Sequence, residues 1–281
     1  MATEQILAVV GIGFYVLASI LSVASPARPA PANERWTLLL MLLGSMPLVA
    51  VLGLHGIRDG RIPAFGRFEA ITWYSLAVSA AFAYLALRHR ARGIAGIVVP
   101  YVTVLLCIGA PAVRHQVGQS LQTQNVWLGL HIVTSFVGYA FFTLASVLAI
   151  VYLIQDHNLK HRRFGTTFNM FPSLETLDRL MYRQIGFAFL MFTIAVALGF
   201  LLSQQIGWPP GLLTDPKIVA TLATWFVYAS LFHLRTFGDR HGRRMAIATV
   251  VGLGCVLFTF VGVHLLTDSV HDFVLTNLAG N

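Results

Sequence analysis

Long, unbroken apolar runs separated by short polar segments dominate the chain. Eight runs stand out, at about 5–24, 37–56, 70–87, 93–112, 126–155, 184–204, 217–234 and 245–266. Each approaches the roughly 20 apolar residues that a helix rising 1.5 Å per residue needs to cross a hydrocarbon core of about 30 Å. The runs are continuous and do not alternate with period two, so they predict helices and not a β-barrel. The expected fold is therefore all-α, a polytopic membrane protein of about eight transmembrane helices. The fifth run is long enough to project beyond the bilayer. SVASPARPAPA follows the first run, as the tail of a signal peptide would. However, MATEQ carries no Lys or Arg, and the apolar core exceeds the usual 7–15 or so residues, so a retained first helix is expected.

Composition supports this reading. Hydrophobic residues make up 57% of the chain and charged ones 11%, against about 25% charged in soluble domains. The net charge of +8 would suit nucleic acid, but the basic residues fall in short clusters between apolar runs, where they act as topology signals. The loops after helices 1, 3, 5 and 7 hold 14 of the 19 Lys and Arg. The positive-inside rule predicts that these loops are cytoplasmic and that both termini face outward. Arg58, Arg61 and Arg67, in the loop after helix 2, dissent. Cys107 and Cys255 lie in apolar runs and form no CxxC, which argues against a disulfide scaffold, a zinc ribbon and a thiol-redox motif. In the largest expected cytoplasmic loop, about 156–183, FPSLETLDRLMYR places Leu174, Leu177, Leu180 and Met181 on one helical face. This predicts a short helix on the inner membrane surface, with a plain connector as the alternative.

Of ten histidines, His89, His115, His157, His161 and His241 fall outside the spans or at their cytoplasmic ends and read as solvated interfacial groups. His55, at the outer end of helix 2, is read the same way. Four remain. His131 opens helix 5, one turn after Trp127. His264 ends helix 8, and His271 follows in the outer tail, seven residues on and so on nearly the same face if the helix continues. These three collect at one surface. His233 lies near the cytoplasmic end of helix 7, about 25 Å along the axis from Lys217. An ionisable side chain in a span is costly and marks a functional candidate, and neutral imidazole is the usual protein ligand of haem iron. The aromatics of helices 5–8 (Phe136, Tyr139, Phe142, Trp208, Trp225 and Tyr228 among them) would suit a haem cavity, although packing between helices explains the same spacing. Asp215-Pro216 suits the start of helix 7, Pro in the first turn and Asp at its positive end. There is no GxxxxGK[ST], no GxSxG with a triad, no HExxH and no paired intramembrane carboxylate.

Over about 125–272 the chain resembles the cytochrome c assembly family of haem-handling membrane proteins (CcsA/ResC, CcmC and HemX-like members). The resemblance rests on WLGLHIVTSFVGYAFFTLASVLAIVYLIQ, RQIGFAFLMFTIAVALGF, TDPKIVATLATWFVYASLFHLRT, GDRHGRRMA and VGVHLLTDSVHDF. It implies that His131 and His271 are the family's two external haem ligands. It implies that His233 is its intramembrane histidine, associated with haem arriving from the cytoplasmic side. His264 replaces the family's usual Asn and adds a potential ligand. The family's outer loop is rich in tryptophan and ends in Trp-Asp-Pro-Lys. Here SQQIGWPPGLLTDPK keeps Trp208 and the Asp215-Pro216-Lys217 tail, with Thr214 in place of the last tryptophan. This departure fits the small YpjD/HemX-like branch and favours haem binding or transfer over covalent attachment.

The resemblance divides the chain into an N-terminal four-helix region, 1–124, and an assembly-like region, 125–281. It implies a protein of the bacterial inner membrane that binds non-covalent haem b through His131, His271, His233 and His264, with Trp208 and Asp215 in the site. Its expected partners are haem, apocytochrome c or a membrane subunit, and the bilayer, with no nucleic acid. A haem-free regulatory or scaffold protein acting through the 156–183 loop is the alternative. A permease is disfavoured, because span interiors lack charge and show no discontinuous, symmetry-related helices.

Overall fold

A computed structural model describes residues 2–24, 31–60, 62–64, 66–89, 93–114, 126–163, 165, 168, 171–205, 211–238 and 241–262. All regular structure among them is helical. The main helices are α1 (Ala2–Ala24), α2 (Pro31–Asp59), α3 (Arg67–His89), α4 (Ala95–Gly109), α5 (Val126–Lys160), α6 (Leu174–Gln205), α7 (Pro216–Thr236) and α8 (Arg243–Leu257). A 3-10 turn, Ala110–Arg114, continues α4, and a π-helical turn, Phe258–Gly262, continues α8. Eight described helices are long and apolar enough to cross a membrane, in the eight places expected. At 35 residues, α5 spans about 52 Å and overshoots the hydrocarbon core as predicted.

The expected surface helix does not stand alone. Residues 174–183 are the opening turns of α6, which runs without a break to Gln205. Ser173 starts it: the Thr176 N–H donates to Ser173 Oγ at 3.3 Å and the Leu177 N–H to the Ser173 carbonyl at 2.9 Å. The apolar face seen in the sequence is real, but Leu177, Leu180 and Met181 are buried in protein and do not lie against lipid.

The chain divides into two compact units, Met1–Gly118 with Val151–Leu177, and Gln119–Ile150 with Asp178–Asn281. In the first unit, α1 and α2 cross at a pair of glycines. A Cβ at Gly11 would lie 2.9 Å from the Gly44 carbonyl oxygen, and one at Gly44 would lie 2.8 Å from that of Gly11, so only Gly permits the approach. One turn on, Tyr15 joins four helices: its hydroxyl is 2.9 Å from Ser45 Oγ in α2 and donates to Ser79 Oγ in α3 at 2.8 Å, while Thr103 Oγ1 in α4 donates to the Tyr15 carbonyl at 3.1 Å. Such hydroxyls hold helices together where lipid supplies no hydrophobic drive.

In the second unit, aromatic rings and small residues alternate. Phe142 stacks on Tyr228 at 3.5 Å, and Gly252 leaves room for the hydroxyl end of the Tyr228 ring. Gly138 lies against Phe192. Ser146 Oγ donates to the Thr249 carbonyl at 3.1 Å, tying α5 to α8. Trp225 Nε1 donates to Thr193 Oγ1 at 2.9 Å, tying α7 to α6.

Candidate functional site

His131 lies in the second turn of α5, half-buried. Its Nδ1 is 2.8 Å from the Ala195 carbonyl oxygen on α6. A carbonyl only accepts, so Nδ1 carries the proton, and in the neutral ring Nε2 keeps the lone pair that can ligate a metal. Among the described residues Nε2 makes no hydrogen bond. The ring also needs floor space. One turn after Ala195 stands Gly199, where a Cβ would be only 3.2 Å from His131 Cε1. Ala195 therefore sets the ring's orientation and Gly199 makes room for it. This pattern, one nitrogen anchored to the protein and the other presented, is how proteins prepare a histidine to bind a metal.

The Asp215-Pro216 start of α7 is as the sequence suggested. Asp215 is buried, and its Oδ1 accepts the Lys217 N–H at 2.9 Å and the Ile218 N–H at 3.2 Å. Its carboxylate is thus engaged as a helix cap, with Pro216 in the first turn. The cap sets Lys217 in the first turn of α7. Lys217 and Gly199 were not singled out from sequence. The Asp-Pro-Lys tail pointed to the first, while the second depends on which α6 residue meets the ring.

His233 is apart from this arrangement. It is exposed in the last turn of α7, its ring centroid 4.9 Å from that of Phe237. His264, His271 and Trp208 lie outside the described residues.

The aromatics of the second unit pack on one another. Tyr139 lies 4.9 Å from Phe192 and 6.1 Å from Phe260, and Phe136 lies 6.0 Å from Phe260. Phe189 sits between Trp225 and Phe232. Trp127, Phe187 and Phe226 are exposed on the outside of their helices. The packing explanation of the aromatic spacing therefore accounts for these contacts.

His55 departs from the sequence reading. It is buried, not solvated. Its Nδ1 lies 3.1 Å from Glu69 Oε1 on α3, and its Nε2 lies 3.8 Å from Glu4 Oε2 on α1. Glu69 Oε2 also accepts the Gly66 N–H at 3.0 Å, and Glu4 Oε1 pairs with Arg58 at 2.9 Å. The ends of three helices supply charge that a reading of α2 alone does not reveal. His157, His161 and His241 are exposed, as expected.

Residues 62–271 match the sequence profile of the Cytochrome C assembly protein family. The match starts well before position 125, so it takes in α3 and α4 as well as the C-terminal helices. Several curated relatives are similar over most of their length. The cytochrome c biogenesis protein CcsA of Guillardia theta is 26% identical over 251 residues, covering 83% of each chain. That of Porphyra purpurea is 24% identical over 274 residues, covering 84% of this chain and 86% of the relative. That of Thermosynechococcus vestitus is 26% identical over 273 residues, covering 83% and 85%. With eight helices among the described residues long and apolar enough to cross a membrane, and a match across most of its length, the chain is a multi-pass membrane protein that belongs to the cytochrome C assembly protein family.

Proposed function

We propose that this protein binds and transfers haem during c-type cytochrome biogenesis, the process named for its CcsA relatives. The observation that carries this reading is the His131 imidazole, whose Nδ1 is fixed on the Ala195 carbonyl while Nε2 makes no hydrogen bond among the described residues. That is the form of histidine that ligates iron. His131 and His271 are the axial pair at the outer face, with His264 as an alternate, and the haem is non-covalent and b-type, carried as cargo. Trp208, by the family resemblance, belongs to the same haem site. Asp215 serves the site by capping α7. His233 marks a second position, near the inner face. Its exposure leaves it accessible from the bilayer or to a partner subunit.

Charge asymmetry between the loops supports an orientation with both termini outward; in a bacterial inner membrane this puts His131 at the periplasmic face. The haem-free scaffold reading, acting through the 156–183 loop, draws no support here, since residues 174–183 of that loop are the opening turns of α6.

Absorption spectroscopy of protein purified from haem-replete cells tests the proposal. The expected result is a low-spin bis-histidine spectrum that is lost in His131→Ala and in His271→Ala, and regained by the His131→Ala protein in added imidazole. A spectrum indifferent to both substitutions rejects the ligand assignment.

A further inference from the structure

At one end of the second unit three helix ends converge on Asp178. Its carboxylate pairs with the Arg235 guanidinium and accepts the Gly242 N–H at 3.4 Å, bringing together the start of α6, the end of α7 and the start of α8. Arg235 also covers the Tyr182 ring at 5.4 Å, and the Tyr182 hydroxyl lies 3.1 Å from Thr236 Oγ1. Gly242 sits at φ +75°, a conformation that favours glycine, and so turns the chain into α8.

Arg235 is turned inward by these contacts. Arg179 and Arg183 on α6, and Arg243 and Arg244 on α8, are exposed. On the described segments of this corner only Glu175 and Asp178 oppose the five arginines, so the corner is strongly cationic. Among the described residues the opposite end of the same three helices offers only Lys217 and the buried Asp215.

The charge is continuous with apolar surface. Arg179 and Arg183 lie one turn apart on α6, and Phe187, Leu190 and Ile194 extend the same exposed stripe at helical spacing. On α8, Arg244 is followed by exposed Ile247, Val251 and Phe258. A surface apolar along the helices and cationic at their shared end matches one kind of molecule, whose acyl chains lie along the stripes and whose phosphate meets guanidinium groups. An acidic soluble peptide would leave the stripes unused. We infer that this corner, which carries Arg179, Arg183, Arg243 and Arg244, is a binding surface for anionic phospholipid. It needs only the membrane location of the chain and is independent of haem.

Native mass spectrometry of the delipidated full chain in detergent tests this, with phosphatidylglycerol and phosphatidylcholine of equal acyl length as probes. Phosphatidylglycerol is expected to bind about five-fold or more above phosphatidylcholine. The preference should vanish in the Arg179→Gln, Arg183→Gln, Arg243→Gln, Arg244→Gln variant. It should survive Arg35→Gln, Arg67→Gln, Arg88→Gln in the first unit, and it should survive millimolar inorganic phosphate. Equal binding of the two lipids by the unaltered protein overturns the inference without recourse to any variant. A preference that persists in the four-arginine variant, or one stripped by inorganic phosphate alone, overturns it as well.

Discussion

A Cβ at Gly199 would stand 3.2 Å from Cε1 of His131 and 3.5 Å from its Nδ1. The hydrogen bond to Ala195 and the missing side chain at Gly199 are therefore two parts of one seat. Gly199→Val should push the ring off the Ala195 carbonyl and lower haem retention about ten-fold, with little loss of helix content, since a ligand displaced by about 1 Å can cost two orders of magnitude where geometry decides. Haem-to-protein ratio and circular dichroism on the same sample check this. Full haem retention by the valine variant would show that the seat does not matter.

Asp215 gives a way to separate capping from ligand binding. Asp215→Asn keeps an oxygen for the Lys217 and Ile218 amides, so α7 should start normally and haem binding should persist. Asp215→Ala removes the cap, at a cost of about 1 kcal/mol. Hydrogen exchange at the Lys217 and Ile218 amides should then speed up in the alanine variant only. A fall in haem binding in the asparagine variant would instead assign the carboxylate a direct part in the site.

The buried pair His55–Glu69 should be stabilising as a pair and costly to break. Glu69→Ala leaves both His55 Nδ1 and the Gly66 N–H without their acceptor. Loss of a buried partner of this kind costs about 1–3 kcal/mol. His55→Leu with Glu69→Leu should cost less than the two single changes added together. Thermal unfolding of the four proteins in the same detergent measures the coupling, and strict additivity would refute it.

Tyr15→Phe should be mild despite the four helices that meet at this side chain. Ser45 Oγ also reaches the Met41 carbonyl and Ser79 Oγ the Ser75 carbonyl, both at 2.8 Å, so neither hydroxyl is stranded when the phenol oxygen goes. The expected loss is about 0.6 kcal/mol, the average for a hydrogen bond between membrane helices. Mild-detergent unfolding curves resolve it from Gly11→Leu. That change forces α1 away from Leu48 and the Gly44 carbonyl and should unfold the first unit.

All eight spans were legible in the sequence, because a hydrocarbon layer demands a run of apolar residues whatever the helices pack against. The start of α6 was legible as a short helix but not as part of the sixth span, because Glu175, Asp178 and Arg179 interrupt the apolar run there. The helix persists there through the Ser173 cap and the buried Leu177, Leu180 and Met181. His131 was legible as a costly residue at the start of a span. Its partner was not, since a carbonyl oxygen exists at every position and only the fold selects Ala195. His55 was misread for the same reason: Glu4 and Glu69 lie far from it in sequence, and their approach depends on how α1, α2 and α3 meet.

The Asp178 corner bears on the order in which the molecule is made. Asp178 leaves the ribosome 57 and 64 residues before Arg235 and Gly242, so the acceptor for both exists before the last two helices are made. The final hairpin is thus delivered to a waiting anchor, and its seating, not its synthesis, completes this half of the protein.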